Sequence, residues 1–191
     1  MTSWLREEQP EVATDRILDA AEKAFVELGV SSAGMAEIAD VAGCSRGTLY
    51  RYFANRHELH LAYVERAARR IVAEIGGEIG GIEDPERRLV ECIVLSLRLV
   101  RQNPGTAAWF APGVSELAAR MSRTADVVEP LTGAFAAALA GSEAVADSEL
   151  SARWIVRVIL SFLADPEQDD ATERALIERF VAPAVARLTL R

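Results

Sequence analysis

Two cysteines and two histidines are all that 191 residues offer to thiol or metal chemistry, and neither pair is arranged for it. Cys44 and Cys92 fall in what read as different domains, so reduced thiols are expected rather than a structural disulfide. His57 and His60 have His-x-x-His spacing, yet no third ligand stands at a recognisable distance, and neither a metal nor any other cofactor is expected. The glycines at 76, 77, 80 and 81 lack a preceding strand and a following Lys-Ser/Thr, which removes a phosphate-cradling loop. No Ser/His/Asp set suggests a nucleophile, and the chain reads as a non-enzyme. No stretch approaches the ~18 consecutive apolar residues of a membrane span, and the first residues lack the apolar centre of a signal peptide. A cytoplasmic protein with no membrane partner is the expectation. Positive charge is scarce too: 21 Lys+Arg face 29 Asp+Glu and the sequence pI is near 4.9, which argues against general coating of nucleic acid. Period-two alternation is missing throughout, so the fold class is predicted to be all-α.

What is present centres on Met35 to Phe53. Ile38, Val41 and Ala42 recur at helical spacing and Gly43 follows at once, where a helix ends by letting one residue turn left-handed. Ser45 can cap a second short helix with its hydroxyl, on which Leu49 and Phe53 lie four apart on the buried side. Ala39 and Gly43 are read as small because two helix backbones approach there. The pattern is a helix-turn-helix, whose second helix can enter the DNA major groove. Local charge agrees with this reading. Between Asp40 and Glu58 there is no carboxylate, whereas Arg46, Arg51, Arg56 and His57 fall inside that window.

Around this core, residues 1–13 read as a flexible arm and Thr14 as the cap of a first helix carrying Ile17, Leu18, Ala21, Phe25 and Leu28, ended by Gly29. Asn55 and Glu58 make a box-like start to a helix through Leu59, Tyr63, Ala67 and Ile71. Its glycine-rich end is taken as the domain boundary. The organisation predicted is a helix-turn-helix domain over 14–60, a connecting helix and Gly-rich linker over 61–82, and a second helical domain over 83–191. Within the last, Asp84-Pro85 starts a helix bearing Leu89, Ile93, Val94, Leu97 and Val100, and Asn103-Pro-Gly105 stops it. Further helices are expected over Thr106–Phe110, from Val114 to about Ala140, over Ser148–Ala164, and from Asp170 onward with a kink at Pro183.

The segments Thr14–Phe25, Ala36–Ala39 and Gly43–Arg56, with Leu59, resemble the N-terminal DNA-binding domain of the tetracycline-repressor (TetR) family. Two departures stand out. Gly34 replaces the usual Thr cap of the second helix, and Ala36 is too short to read a base edge. The resemblance implies that the third helix presents Arg46, Gly47, Thr48 and Tyr52 to the major groove, with Ser45 beside them, while Tyr50 and Arg56 contact phosphates. It also implies a homodimer whose last two long helices pair with their copies in a four-helix bundle. Trp154, Val158, Phe162, Ile177 and Phe180 are the interface candidates, since the helix over 148–164 is apolar round most of its circumference. An inducer pocket for a largely apolar small molecule is implied as well, with Cys92, Leu95, Ser96, Trp109, Phe110, Met121 and Phe135 as its lining candidates. The expected function is a ligand-responsive repressor of a palindromic double-stranded DNA operator. Two alternatives remain: an activator of the same fold, and a small-molecule sensor or carrier with weak or lost DNA binding, hinted at by Gly34.

Overall fold

The computed structural model describes residues 10–111, Thr132 and residues 149–184. Among them there is no strand, and the helices in chain order are α1 (Pro10–Leu28), α2 (Met35–Ala42), α3 (Arg46–Tyr52), α4 (Arg56–Ile79), α5 (Pro85–Gln102), α6 (Pro104–Ala107) leading into a 3-10 turn (Ala108–Phe110), α7 (Glu149–Ala164) and α8 (Asp170–Leu176). The all-helical class is as predicted. The helix expected between Val114 and Ala140, with Met121 and Phe135, lies outside the described residues.

The chain divides into two compact units. Among the described residues, one comprises Pro10–Arg66 together with residues 104–111, and the other Ala67–Asn103 together with Thr132 and residues 149–184. This differs from the contiguous domains read from the sequence in two places. The chain passes from one unit to the other inside α4, not at the glycines, and α4 continues through Gly76 and Gly77 because Ile75 and Ile79 are buried on its inner side. Residues 104–111 return to the first unit instead of joining the second.

In the first unit, α1 begins at Pro10, four residues ahead of the predicted cap. Proline is tolerated in a first turn because its missing N–H would have no helical acceptor there. Thr14 therefore sits inside the helix, its hydroxyl donating to the Pro10 carbonyl at 2.9 Å, and Ala13 is buried rather than part of an arm. Ile17, Leu18, Ala21 and Phe25 form the expected stripe, whereas Leu28 is half exposed. Arg66 locks α4 to α1. Its side chain, 7% exposed, lies 2.7 Å from Asp19 Oδ1, 3.5 Å from Asp15 Oδ1 and 3.6 Å from Glu22 Oε2, and donates to the Asp15 carbonyl at 2.9 Å. A buried guanidinium needs that much compensation.

An aromatic cluster fills the same unit. Phe25 meets His60, Tyr63 and Trp109 edge to face at 5.3, 5.1 and 5.6 Å, and Trp109 stacks on Tyr63 with ring planes 8° apart. Trp109, predicted to line a ligand pocket in the second domain, is thus core of the first unit. Gly105 makes that docking possible, since a Cβ there would fall 2.4 Å from Glu22 Cγ and 2.5 Å from the Tyr63 hydroxyl.

In the second unit, Asp84 caps α5 by accepting from Glu86 and Arg87 N–H at 3.0 and 3.4 Å, with Pro85 in the first turn as expected. Leu89, Ile93 and Leu97 are buried, and α5 packs against α7. Arg101 closes the arrangement, donating to both oxygens of Glu173 at 2.8 and 2.6 Å and to the Phe162 carbonyl at 3.0 Å. Arg174 grips Glu91 in the same bidentate way at 2.9 and 3.0 Å, and this holds the Glu91 carboxyl below its ordinary range. Ahead of Pro183, where a kink was expected, the helix instead widens into a π-helical turn, Ile177–Val181, in which the Ala182 N–H reaches back five residues to Ile177. A widened turn makes room for a ring that would press on the carbonyl four residues before it.

Candidate nucleic-acid interface

The helix-turn-helix is assembled by three local devices. Gly43 adopts φ +67°, and the Gly43 and Cys44 N–H groups close back on the Asp40 and Ala39 carbonyls at 3.1 and 3.0 Å. A Cβ at Gly43 would meet nothing within 4 Å, so the glycine serves the left-handed turn and not the close helix approach read from the sequence. Ser45 caps α3, accepting from Thr48 N–H at 3.0 Å and pairing with the Thr48 hydroxyl at 2.8 Å. At the start of α2, where Gly34 has no side chain to cap with, Glu37 reaches back to accept from Gly34 N–H at 3.1 Å. This is half of a capping box; the other half, a side chain accepting from the Glu37 N–H, is absent because Gly34 has none.

Leu49 and Phe53 are buried as expected and fix α3 to the unit, which leaves Arg46, Gly47, Tyr50 and Arg51 exposed and Tyr52 partly so. Arg51, absent from the predicted DNA-facing set, lies with its guanidinium 5.4 Å from the Tyr52 ring centre. Its place on α3 inside the carboxylate-free window was the available signal. Two residues expected at DNA have partners within the protein. The Ser45 hydroxyl is engaged in the cap, so Ser45 shapes the helix start. Arg56, expected on a phosphate, points its guanidinium at the Val30 and Ser31 carbonyls, the latter at 2.9 Å.

The predicted pocket and interface residues fare unevenly. Cys92, Leu95 and Ser96 are buried on α5, where desolvation pushes the Cys92 thiol up to about 12 and the Ser96 hydroxyl donates to the Cys92 carbonyl at 2.7 Å. Ser96 is therefore satisfied by its own helix. Phe110 is half buried in the first unit's 3-10 turn. Trp154 and Phe180 are 52% and 64% exposed and Phe162 partly so, whereas Val158 at 9% and Ile177 at 0% are packed inside their own subunit and offer little surface to another.

Residues 17–63 match the bacterial regulatory proteins of the tetR family. An HTH-type transcriptional regulator of Mycobacterium tuberculosis strain H37Rv, Rv1255c, is 45% identical over 184 residues, 96% of this chain and 91% of that protein. The chain belongs to the TetR family. It is a DNA-binding transcriptional regulator, and its relatives include both signs of control. The TetR family repressor AlkX from Dietzia, implicated in biodegradation of n-alkanes, shares 25% identity and a TM-score of 0.71, with 91% of this chain and 95% of that one covered. The transcriptional activator FasR of Mycolicibacterium smegmatis is 38% identical over 74 residues, 39% of this chain and 34% of that protein.

Proposed function

We propose that the protein is a homodimeric repressor that reads a palindromic operator with α3 of each subunit and releases it when a small, largely apolar effector binds. The observation that carries this reading is the exposed α3 face of Arg46, Gly47, Tyr50 and Arg51, set by the left-handed Gly43 turn within a stretch free of carboxylates. Arg46 can donate both guanidinium edges to guanine O6 and N7, the Thr48 methyl can meet a thymine methyl, and Gly47 admits close approach. Two half-sites require two copies, and the exposed Trp154 and Phe180 are the apolar surface from which a second copy would be held. Repression is the reading supported by likeness to the repressor AlkX across 91% of this chain. AlkX's link to n-alkanes supports the apolar effector class.

Selection of bound duplexes from random-sequence DNA with purified protein tests the reading. A palindrome with two matching half-sites is expected. A single asymmetric site, or no enrichment, would contradict it.

A further inference from the structure

Arg56 turns its donors onto the protein's own backbone. Its Nη2 donates to the Val30 and Ser31 carbonyls, and its Nε–H lies 3.4 Å from Nε2 of His60, a long contact. The turn that receives these donors closes on itself through Ser32 and Ala33 N–H, both bonded to the Gly29 carbonyl at 3.1 and 3.0 Å. The carbonyls of Val30 and Ser31 take no part in that closure. Val30 is fully buried, so its carbonyl without Arg56 would lose water and gain nothing. His60, one turn along α4 from Arg56, is wedged edge-on between Phe25 and Trp109 at 5.3 and 5.0 Å. To accept from Arg56 at Nε2, its ring must be neutral with the proton on Nδ1.

The place of this contact in the chain matters more than its strength. The turn over 29–34 leads directly into α2, and Arg56 opens α4 directly after α3. One side chain therefore joins the two ends of the helix-turn-helix. Helices of 8 and 7 residues are too short to hold themselves, and their orientation depends on how those ends are anchored. We propose that Arg56 is a positioning residue for DNA reading: oriented by His60, it ties the start of α4 to the turn between α1 and α2 and thereby fixes the face that α2 and α3 offer to DNA. These contacts commit Nε and Nη2 of the guanidinium to the protein itself.

The test uses the full chain and a random-sequence duplex, whose non-specific binding measures phosphate neutralisation without any known operator. Arg56→Ala is expected to leave the slope of log K against log salt unchanged. Hydrogen exchange at the bonded amides of Ile38, Cys44 and Leu49 should meanwhile quicken by about tenfold, with α5 amides as the unaffected reference. His60→Phe keeps a ring in the cluster and removes the acceptor. It should quicken the same amides alone and add nothing to Arg56→Ala. A slope that falls by about 0.9 per subunit in Arg56→Ala would overturn the proposal, as would unchanged exchange at those amides, or effects of the two substitutions that simply add. Should Arg56→Ala not fold, Arg56→Lys keeps the charge without the planar fork. Quickened exchange at an unchanged slope is then expected, and wild-type exchange would overturn the proposal.

Discussion

His60 is where packing and proton chemistry meet in the first unit. Burial among the aromatic rings, and then the positive charges of Arg56 and His57, lower its pKa from 6.5 to about 4. Between those values the unfolded chain binds a proton that the folded chain refuses. The contribution is therefore fully present above pH 6.5 and is lost as pH falls towards 4, by roughly 3 kcal/mol in total at 1.36 kcal/mol per unit. Urea midpoints at pH 7.5 and 4.5 should fall further in the wild type than in His60→Phe, which carries no such group; equal falls would place His60 outside this linkage. Gly105 gives a second measure at the same scale. Gly105→Ala puts a methyl 2.4 Å from Glu22 Cγ and 2.5 Å from the Tyr63 hydroxyl, and the strain should lower stability by about 1–3 kcal/mol in chemical denaturation. A neutral effect would mean that the Trp109 segment can lift away at little cost.

At the scale of elements, the α3 face predicts a specific loss. Arg46→Ala should relax sequence preference at one position in each half-site, at a cost of roughly 1–3 kcal/mol, while leaving the remaining positions as selective as before. Repeating the random-sequence selection on the variant decides this, and retention of the parent's full preference would remove Arg46 from the base-reading set. What the sequence made legible here was whatever acts over a few residues. The Ser45 cap, the Gly43 turn, the Asn55 and Glu58 box and the Asp84-Pro85 start are all contained in windows of six or fewer positions. What it hid depends on partners far along the chain. Nothing local in Gly105 to Trp109 says that this segment folds against α1 and α4, and nothing beside Arg56 says that its donors reach back 25 and 26 residues. The Arg66 site left a fainter mark, since Asp15, Asp19 and Glu22 recur on one face of α1 and three acids on one stripe invite a cation. The glycines at 76 and 77 misled in the opposite direction, because their unfavourable helix propensity is outweighed by burial of Ile75 and Ile79.

For the whole molecule, reading a palindrome requires two copies acting together. Leu150, Trp154 and Phe180 are 74%, 52% and 64% exposed in the single subunit, an expense in apolar surface that a partner would recover. Val158 is already covered by its own chain, so a charge there would test folding rather than assembly. Trp154→Glu is the cleaner variant. It should remain helical and folded yet dissociate, and operator affinity should collapse because one recognition helix loses the effective concentration that its partner confers. The measurement closest to the central claim needs no substitution. Sedimentation velocity of the unmutated protein at micromolar concentration should give twice the chain mass of 20.7 kDa, whereas a species of single-chain mass would contradict a dimeric reader of palindromic DNA.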